Sequence, residues 1–108
     1  MKYCKVTAIV RSRCLDAVEK AVIGQGARGM SVTPMRGFGE YKDFFHEDLL
    51  THHVRVEIFT TDHRSAALVD AIMQAAYTGA AGDGLVAVLP VTGVFRIRSK
   101  KPAGEAEL

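Results

Sequence analysis

The chain has 108 residues, of which 48% are hydrophobic and 24% are charged, and its formal net charge is +2. This length and composition predict a single globular domain over residues 1–108 with a real hydrophobic core. So slight a positive charge argues against a nucleic-acid partner, and no apolar run approaches the length of a membrane span. Two cysteines without a CxxC pattern do not make a disulfide framework, so we expect a cytoplasmic protein.

The first half of the chain predicts a strand, a helix and a second strand. Residues 3–10 alternate between apolar and polar side chains, as a half-buried strand requires. A helix with apolar residues along one side follows from about residue 14 to residue 24. The second predicted strand covers residues 29–38, and Pro34 within it indicates a sheet edge or a bulge.

The second half repeats the same order of elements. Residues 53–60 alternate as a third strand, and a second helix is predicted from about residue 63 to residue 77 with Asp62 as its cap. Residues 85–91 are nearly all apolar, which predicts a central strand covered on both faces.

The order β-α-β, β-α-β predicts an α+β fold, a ferredoxin-like βαββαβ sandwich with both helices on one face of the sheet. A short extra C-terminal strand is expected at residues 93–98, and the polar tail 99–108 is expected to fray. The other sheet face carries Ile9, Met35 and Phe59, an apolar surface that indicates an oligomer interface.

A long loop separates the second and third predicted strands, at about residues 40–53. It mixes charged residues with Tyr41, Phe44 and Phe45. Loops of this length inside compact domains tend to be functional or disordered, and three aromatics so close together favour a functional one.

A glycine-rich stretch at residues 78–84 follows the second helix. Such a loop can turn backbone N–H groups inward to bind an anion, because glycine tolerates positive φ. A helix cap at Gly79 followed by an ordinary turn explains the same residues. The negative end of a helix dipole precedes the loop, so a bound phosphate would need basic side chains from elsewhere. Asp83 in this loop suits either a ribose hydroxyl or an internal bond that holds the turn.

Two arginines are candidates for that basic partner. Arg96 and Arg98 are predicted to share one face of the last strand, where they are either solvated or grip a phosphate. Because the glycine-rich stretch at residues 78–84 lacks a basic residue of its own, phosphate binding is favoured over simple solvation of the two arginines. The four histidines show no ligand spacing, so no metal site is expected. Residues 36–39 match the beginning of the RNA-recognition signature, but the match ends at Glu40, so RNA binding is not favoured.

These pieces resemble the PII signal-transduction family. The resemblance rests on residues 15–18, 29–33, 36–39, 78–84 and 95–98, which stand in the family's order and spacing. It implies a non-catalytic cytoplasmic homotrimer that binds adenine nucleotide in clefts between subunits and has no obligatory cofactor. The loop at about residues 40–53 would report the bound state to a target protein.

The resemblance also implies the site residues. The implied nucleotide-binding residues are Ser31, Gly37, Phe38, Gly39, Glu57, Thr78, Gly79, Gly82, Asp83, Gly84, Arg96 and Arg98, of which the two arginines would come from a neighbouring subunit. A small anion such as bicarbonate is expected at Gly39, Glu40, Tyr41 and Arg55.

Several departures from the family's pattern bear on the ligand. Glu40 and Tyr41 stand where the family usually has Arg-Gln, and Leu85 stands where it has a lysine after Gly-Asp-Gly. His53 stands where the family's pattern has a further basic residue near the end of the loop. These changes weaken binding of a γ-phosphate, so ADP or AMP is expected to bind more tightly than ATP. The pattern is similar to a divergent, carboxysome-associated branch. The alternative is a small phosphate-handling enzyme on the same fold, such as an acylphosphatase-like hydrolase.

Overall fold

A computed structural model describes residues 2–37 and 52–108. Its elements are β1 (Tyr3–Arg11), a 3₁₀ turn (Ser12–Cys14), α1 (Leu15–Gly24), β2 (Ser31–Met35), β3 (His53–Thr61), α2 (Asp62–Ala76), β4 (Leu85–Val91), β5 (Phe95–Arg96), β6 (Lys101–Pro102) and a second 3₁₀ turn (Glu105–Glu107). Four strands pair antiparallel in the order β2-β3-β1-β4, and β5 and β6 form a separate hairpin. The predicted α+β, ferredoxin-like arrangement is confirmed.

The hydrophobic core lies between the two helices and one face of the sheet. Every second residue of β1 from Cys4 to Val10 is buried, and the residues between them are only partly buried on the opposite face. The helices meet this face with apolar residues spaced four apart, Val18 with Val22 in α1 and Leu68 with Ile72 in α2. Within the described part of the chain, no helix combines the length and the apolar character needed to span a membrane.

The helix and strand boundaries differ from the sequence prediction at several ends. Strand β2 covers only Ser31–Met35, because the chain has left the ladder by residue 36. Helix α2 begins at Asp62 with Thr61 as its extended cap, so Asp62 is the first helical residue instead of the cap. Its carboxylate still lies in the first turn, where it complements the positive end of the helix dipole.

The prediction that residues 85–91 form a central strand is wrong. Strand β4 lies at the sheet edge beside β1, and Leu85, Val88 and Leu89 keep 44%, 48% and 41% of their surface exposed. An all-apolar run indicates that a strand is suited to burial, but it does not specify what buries it.

The prediction that the tail 99–108 frays is also wrong. Ala103 and Leu108 are buried, the Tyr3 hydroxyl donates to the Ala103 carbonyl oxygen at 2.5 Å, and the Arg28 N–H donates to the Leu108 carbonyl oxygen at 2.8 Å. Ala103 and Leu108 stand in a mostly polar segment and so give only a weak sequence signal, yet both are buried in the folded domain and anchor the segment.

Candidate functional site

The glycine loop that links α2 to β4 is folded around the carboxylate of Asp83. The N–H groups of Thr78 and Gly79 donate to Asp83 Oδ2 at 2.8 and 2.9 Å, and the Thr78 hydroxyl donates to Oδ1. Asp83 therefore holds the turn, one of the two roles that the sequence left open. Helix α2 ends at Ala76 with Tyr77 as its extended cap, so the prediction of a cap at Gly79 is wrong.

Glycine is required where the loop meets the sheet. Gly84 has a φ of +101°, and a Cβ at this position would lie 1.8 Å from the Ile9 carbonyl oxygen. Gly79 and Gly82 also have positive φ. The chain can therefore turn tightly against the end of β1 only because these side chains are absent.

Two residues that pair across the ends of β1 and β3 hold the loop against the sheet. Arg11 donates from Nη2 to the Ala81 carbonyl oxygen at 2.7 Å and from Nε to Asp83 Oδ1 at 3.3 Å. Its register partner His53 places Nε2 2.6 Å from the Gly82 carbonyl oxygen. Both residues are buried. Sequence reasoning missed Arg11, because no local pattern links a strand end to a loop about 70 residues away.

Asp83 is ionised at neutral pH. Partial burial by itself would raise its pKa, but the hydrogen bonds from Thr78, Gly79 and Arg11 outweigh burial and lower the pKa from 3.8 to about 2. The N–H groups of Thr78 and Gly79 thus face an internal carboxylate. A phosphate at this loop would need other donors.

A second group of predicted residues lines an open cleft of about 670 Å³. Ser31, Glu57 and Arg96 all face it, together with Phe59 and Arg28. Ser31 and Glu57 are direct partners across β2 and β3, so the sheet register brings them together. The hairpin of β5 and β6 supplies Arg96, whose Nε lies 3.3 Å from Glu107 Oε2 in the C-terminal 3₁₀ turn.

The carboxylate of Glu57 is already paired. Lys5 lies 2.7 Å from Oε2 and Arg55 lies 3.3 Å from Oε1. The hydrogen bond from Lys5 is the main reason why the pKa of Glu57 is lowered, and Arg55 contributes further. Arg55, expected to attract a small anion, is thus partly neutralised by Glu57, although half of its side chain remains exposed.

The two groups are separated along β3. Gly82 contacts His53 at the start of the strand, whereas Ser31 pairs with Glu57 four residues further on, which corresponds to about 14 Å. The described residues that line the cleft include none from the loop 78–84. Gly37 follows β2 at the same end of the sheet as His53, because Met35 and His53 are partners in the ladder.

The remaining predicted residues fall elsewhere. Arg98 lies in the turn between β5 and β6, where the Lys100 N–H donates to the Arg96 carbonyl oxygen at 2.8 Å. The prediction that Arg96 and Arg98 share one face of a strand is therefore wrong, because the strand stops at Arg96. Phe38, Gly39, Glu40 and Tyr41 lie outside the described residues, as does most of the predicted loop 40–53. No group of three potential metal ligands occurs among the described residues.

Comparison with known proteins identifies the family. A family model described as "Nitrogen regulatory protein P-II" matches residues 3–101. The chain belongs to the P-II family. It is 35% identical to the nitrogen regulatory protein P-II of Azospirillum brasilense, covering 94% of this chain and 97% of the relative. The protein of the same name from Nostoc punctiforme is 37% identical, with the same coverage of 94% and 97%.

A plant relative and a solved structure agree with this assignment. The P-II homolog of Arabidopsis thaliana is 34% identical over 98% of this chain, which spans 58% of that relative's length. The crystal structure of Arabidopsis thaliana PII bound to citrate superposes with a TM-score of 0.84, covering 98% of this chain and 90% of that one at 34% identity. The fold and the family membership thus support each other.

Proposed function

We propose that this P-II-family chain is a non-catalytic signalling protein that binds adenine nucleotide between the subunits of a homotrimer. The observation that carries the proposal is the division of the predicted site residues into two groups. The glycine loop lies at one end of β3, whereas Ser31, Glu57 and Arg96 line a cleft whose described lining includes no residue of the glycine loop. A neighbouring subunit whose glycine loop faces the cleft would bring both groups to one ligand.

The cleft has the chemistry that an adenine nucleotide needs. Phe59, 43% exposed, offers an apolar surface for a base, and the Ser31 hydroxyl can donate or accept at a base edge. Arg96 is half exposed and can hold a phosphate through charge-assisted hydrogen bonds.

The charges favour a nucleotide with few phosphates. Asp83 occupies the N–H groups of Thr78 and Gly79 in the glycine loop, and Leu85 follows Gly84 where the family has a lysine, so the loop offers few donors to an additional phosphate. We therefore propose that ADP or AMP binds more tightly than ATP, and that the chain belongs to a divergent branch similar to the carboxysome-associated members of the family. Bicarbonate near Arg55 is the proposed second ligand.

The proposed output is ligand-dependent ordering of residues 40–53 in a cytoplasmic protein. A ligand can order a segment only by contacting its ordered form preferentially. Equal hydrogen-exchange protection of this segment in the free, ADP-bound and ADP-plus-bicarbonate forms would contradict this output.

Isothermal titration calorimetry with AMP, ADP and magnesium-ATP tests the nucleotide site. Arg96→Ala should weaken ADP binding roughly ten- to hundredfold, because a hydrogen bond to a charged group contributes about 1.5–3 kcal/mol. Arg13→Ala removes the same charge from the exposed 3₁₀ turn before α1 and should leave the affinity unchanged. Unchanged binding in Arg96→Ala, or clearly tighter binding of ATP, would overturn the assignment. Hydrolysis of an acyl phosphate would instead favour the acylphosphatase-like alternative.

A further inference from the structure

The C-terminal 3₁₀ turn places a carboxylate against the arginine of the cleft. Glu107 Oε2 lies 3.3 Å from Arg96 Nε, and both residues line the cleft. The other carboxylate oxygen of Glu107 accepts a hydrogen bond from the Gly104 N–H at 3.1 Å. The Glu107 carboxylate thus contacts the same arginine that is proposed to bind a ligand phosphate.

The carboxylate is held there by a folded tail. Leu108, the next residue, is buried and its carbonyl oxygen accepts from the Arg28 N–H at 2.8 Å. Because the residue that follows Glu107 is anchored in this way, the backbone of Glu107 is held beside Arg96.

We propose that Glu107 is a specificity-determining residue of this cleft, which competes with ligand phosphate for Arg96 and disfavours nucleotides in proportion to their negative charge. The inference rests on the proposed nucleotide site. It assigns to the tail a role that the resemblance does not imply, since the phosphate contact was expected from the arginines alone.

Simple electrostatics gives the direction and the size of the effect. Repulsion between Glu107 and a ligand grows with each phosphate charge, so ATP is disfavoured more than ADP, and ADP more than AMP. The Glu107 and Arg96 side chains are 47% and 49% exposed, and pairs of this kind are weak. A ligand can therefore displace Glu107 at small cost, and the residue adjusts the selectivity of the cleft without closing it.

The test compares two variants that remove the same charge from the same short turn. Glu107→Gln keeps an oxygen for the Gly104 N–H but removes the negative charge beside Arg96. Glu105→Gln is the control, because its carboxylate contacts His63 and Thr61 instead. Calorimetry with AMP, ADP and ATP should be done at low and high ionic strength.

We expect Glu107→Gln to bind ATP about three- to fivefold more tightly than the wild type and AMP with little change. The gain should shrink at high salt, where a Debye length of about 3 Å at 1 M screens exposed charges. Glu105→Gln should keep the wild-type ratio of ATP to AMP affinity. Glu107→Asp keeps the charge and should also keep that ratio, which a purely structural role of Glu107 would not predict.

The possible failures are distinguishable. If nucleotides bind and the ATP-to-AMP ratio is the same in Glu107→Gln and the wild type, the role of Glu107 is overturned and the nucleotide site stands. If Glu105→Gln changes the ratio equally, net charge is responsible and the role of Glu107 is again overturned. If no nucleotide binds to the wild type or to Glu107→Gln, the proposed function and this inference both fail. Melting temperatures of the free proteins show whether each variant is folded.

Discussion

Asp83 is a single residue whose carboxylate connects the turn at residues 78–84 to strand β1. It accepts hydrogen bonds from Thr78 and Gly79 within the loop and from Arg11 at the end of β1. Because these donors stabilise the charged form, its pKa is about 2 in the folded protein instead of 3.8. The loop conformation is thus linked to the ionisation of one carboxylate.

Asp83→Asn should lower the free energy of unfolding at pH 7 by about 2 kcal/mol, which corresponds to a pKa lowered by nearly two units. Since the folded pKa lies below the unfolded one, this stabilisation is present above pH 3.8 and is lost as the pH falls toward 2. The difference between wild type and Asp83→Asn should therefore shrink between these two values in urea titrations.

Asp70→Asn serves as the control for Asp83→Asn. It removes an exposed carboxylate of α2 that accepts a hydrogen bond from Gln74 on the same helix. A difference between wild type and Asp83→Asn that stays constant from neutral pH to pH 2 would contradict the proposed role of the charge.

The C-terminal segment behaves as a structural element. It pairs through β6 with β5, buries Ala103 and Leu108, and receives hydrogen bonds from Tyr3 and from the backbone of Arg28. These contacts tie it to the first strand and to the segment before β2. The same element supplies Glu107 to the cleft, so its folding bears directly on the proposed ligand site.

Deleting residues 103–108 should cost roughly 2–4 kcal/mol of unfolding free energy, since burying a leucine alone contributes about 1.5–3 kcal/mol. Tyr3→Phe should cost about 1 kcal/mol in the full chain, because it removes the hydrogen bond to the Ala103 carbonyl oxygen. In the truncated chain the same substitution should be nearly neutral. Urea denaturation of the four proteins in this double-mutant cycle measures the coupling.

Tyr77→Phe is the control for Tyr3→Phe, because it removes a hydroxyl from a side chain that is 74% exposed. It should leave the free energy of unfolding unchanged in the full chain and in the truncated chain. Additive effects of Tyr3→Phe and the deletion would show that the hydroxyl does not act through the tail.

At the scale of the whole molecule, the described residues leave one face of the sheet without a covering helix. Phe59 and Leu89 are both register partners of Lys5 and remain 43% and 41% exposed. Ile9 and Met35, also predicted on this face, are partly buried. Exposed apolar surface on a sheet, next to an apolar edge strand, is suited to an interface between subunits, so we expect this face to be buried in the proposed trimer.

Light scattering after size-exclusion chromatography should give a trimer for the wild type. Leu89→Asp should shift the mass toward the monomer, because it would place a carboxylate within an apolar interface. Ile23→Asp makes the same change at a residue of α1 that is 62% exposed, and it should remain a trimer. A monomeric wild type at micromolar concentration would overturn the trimer and the proposed intersubunit site together.

The sequence by itself determined the order of the main elements and the family. Apolar residues that recur every two positions indicate a strand, and those that recur every 3.6 positions indicate a helix, because each backbone geometry repeats locally. The glycine loop is likewise recognised from the spacing of residues that are close in the chain. The resemblance implied a site for Ser31 and Glu57 with Arg96 supplied by a neighbouring subunit, whereas Arg96 of the same chain lines the cleft with them.

Only the tertiary structure decided which distant residues meet. Arg11 and Asp83 are far apart in the chain, and neither carries a local signal of the other. Contacts between residues that are distant in the chain also determine three further features: the edge position of β4, the docking of the tail, and the contact between Arg96 and Glu107. Hydrophobic burial is non-directional, so a sequence pattern indicates that a residue is suited to burial or pairing, whereas the chain's path through space selects its partner.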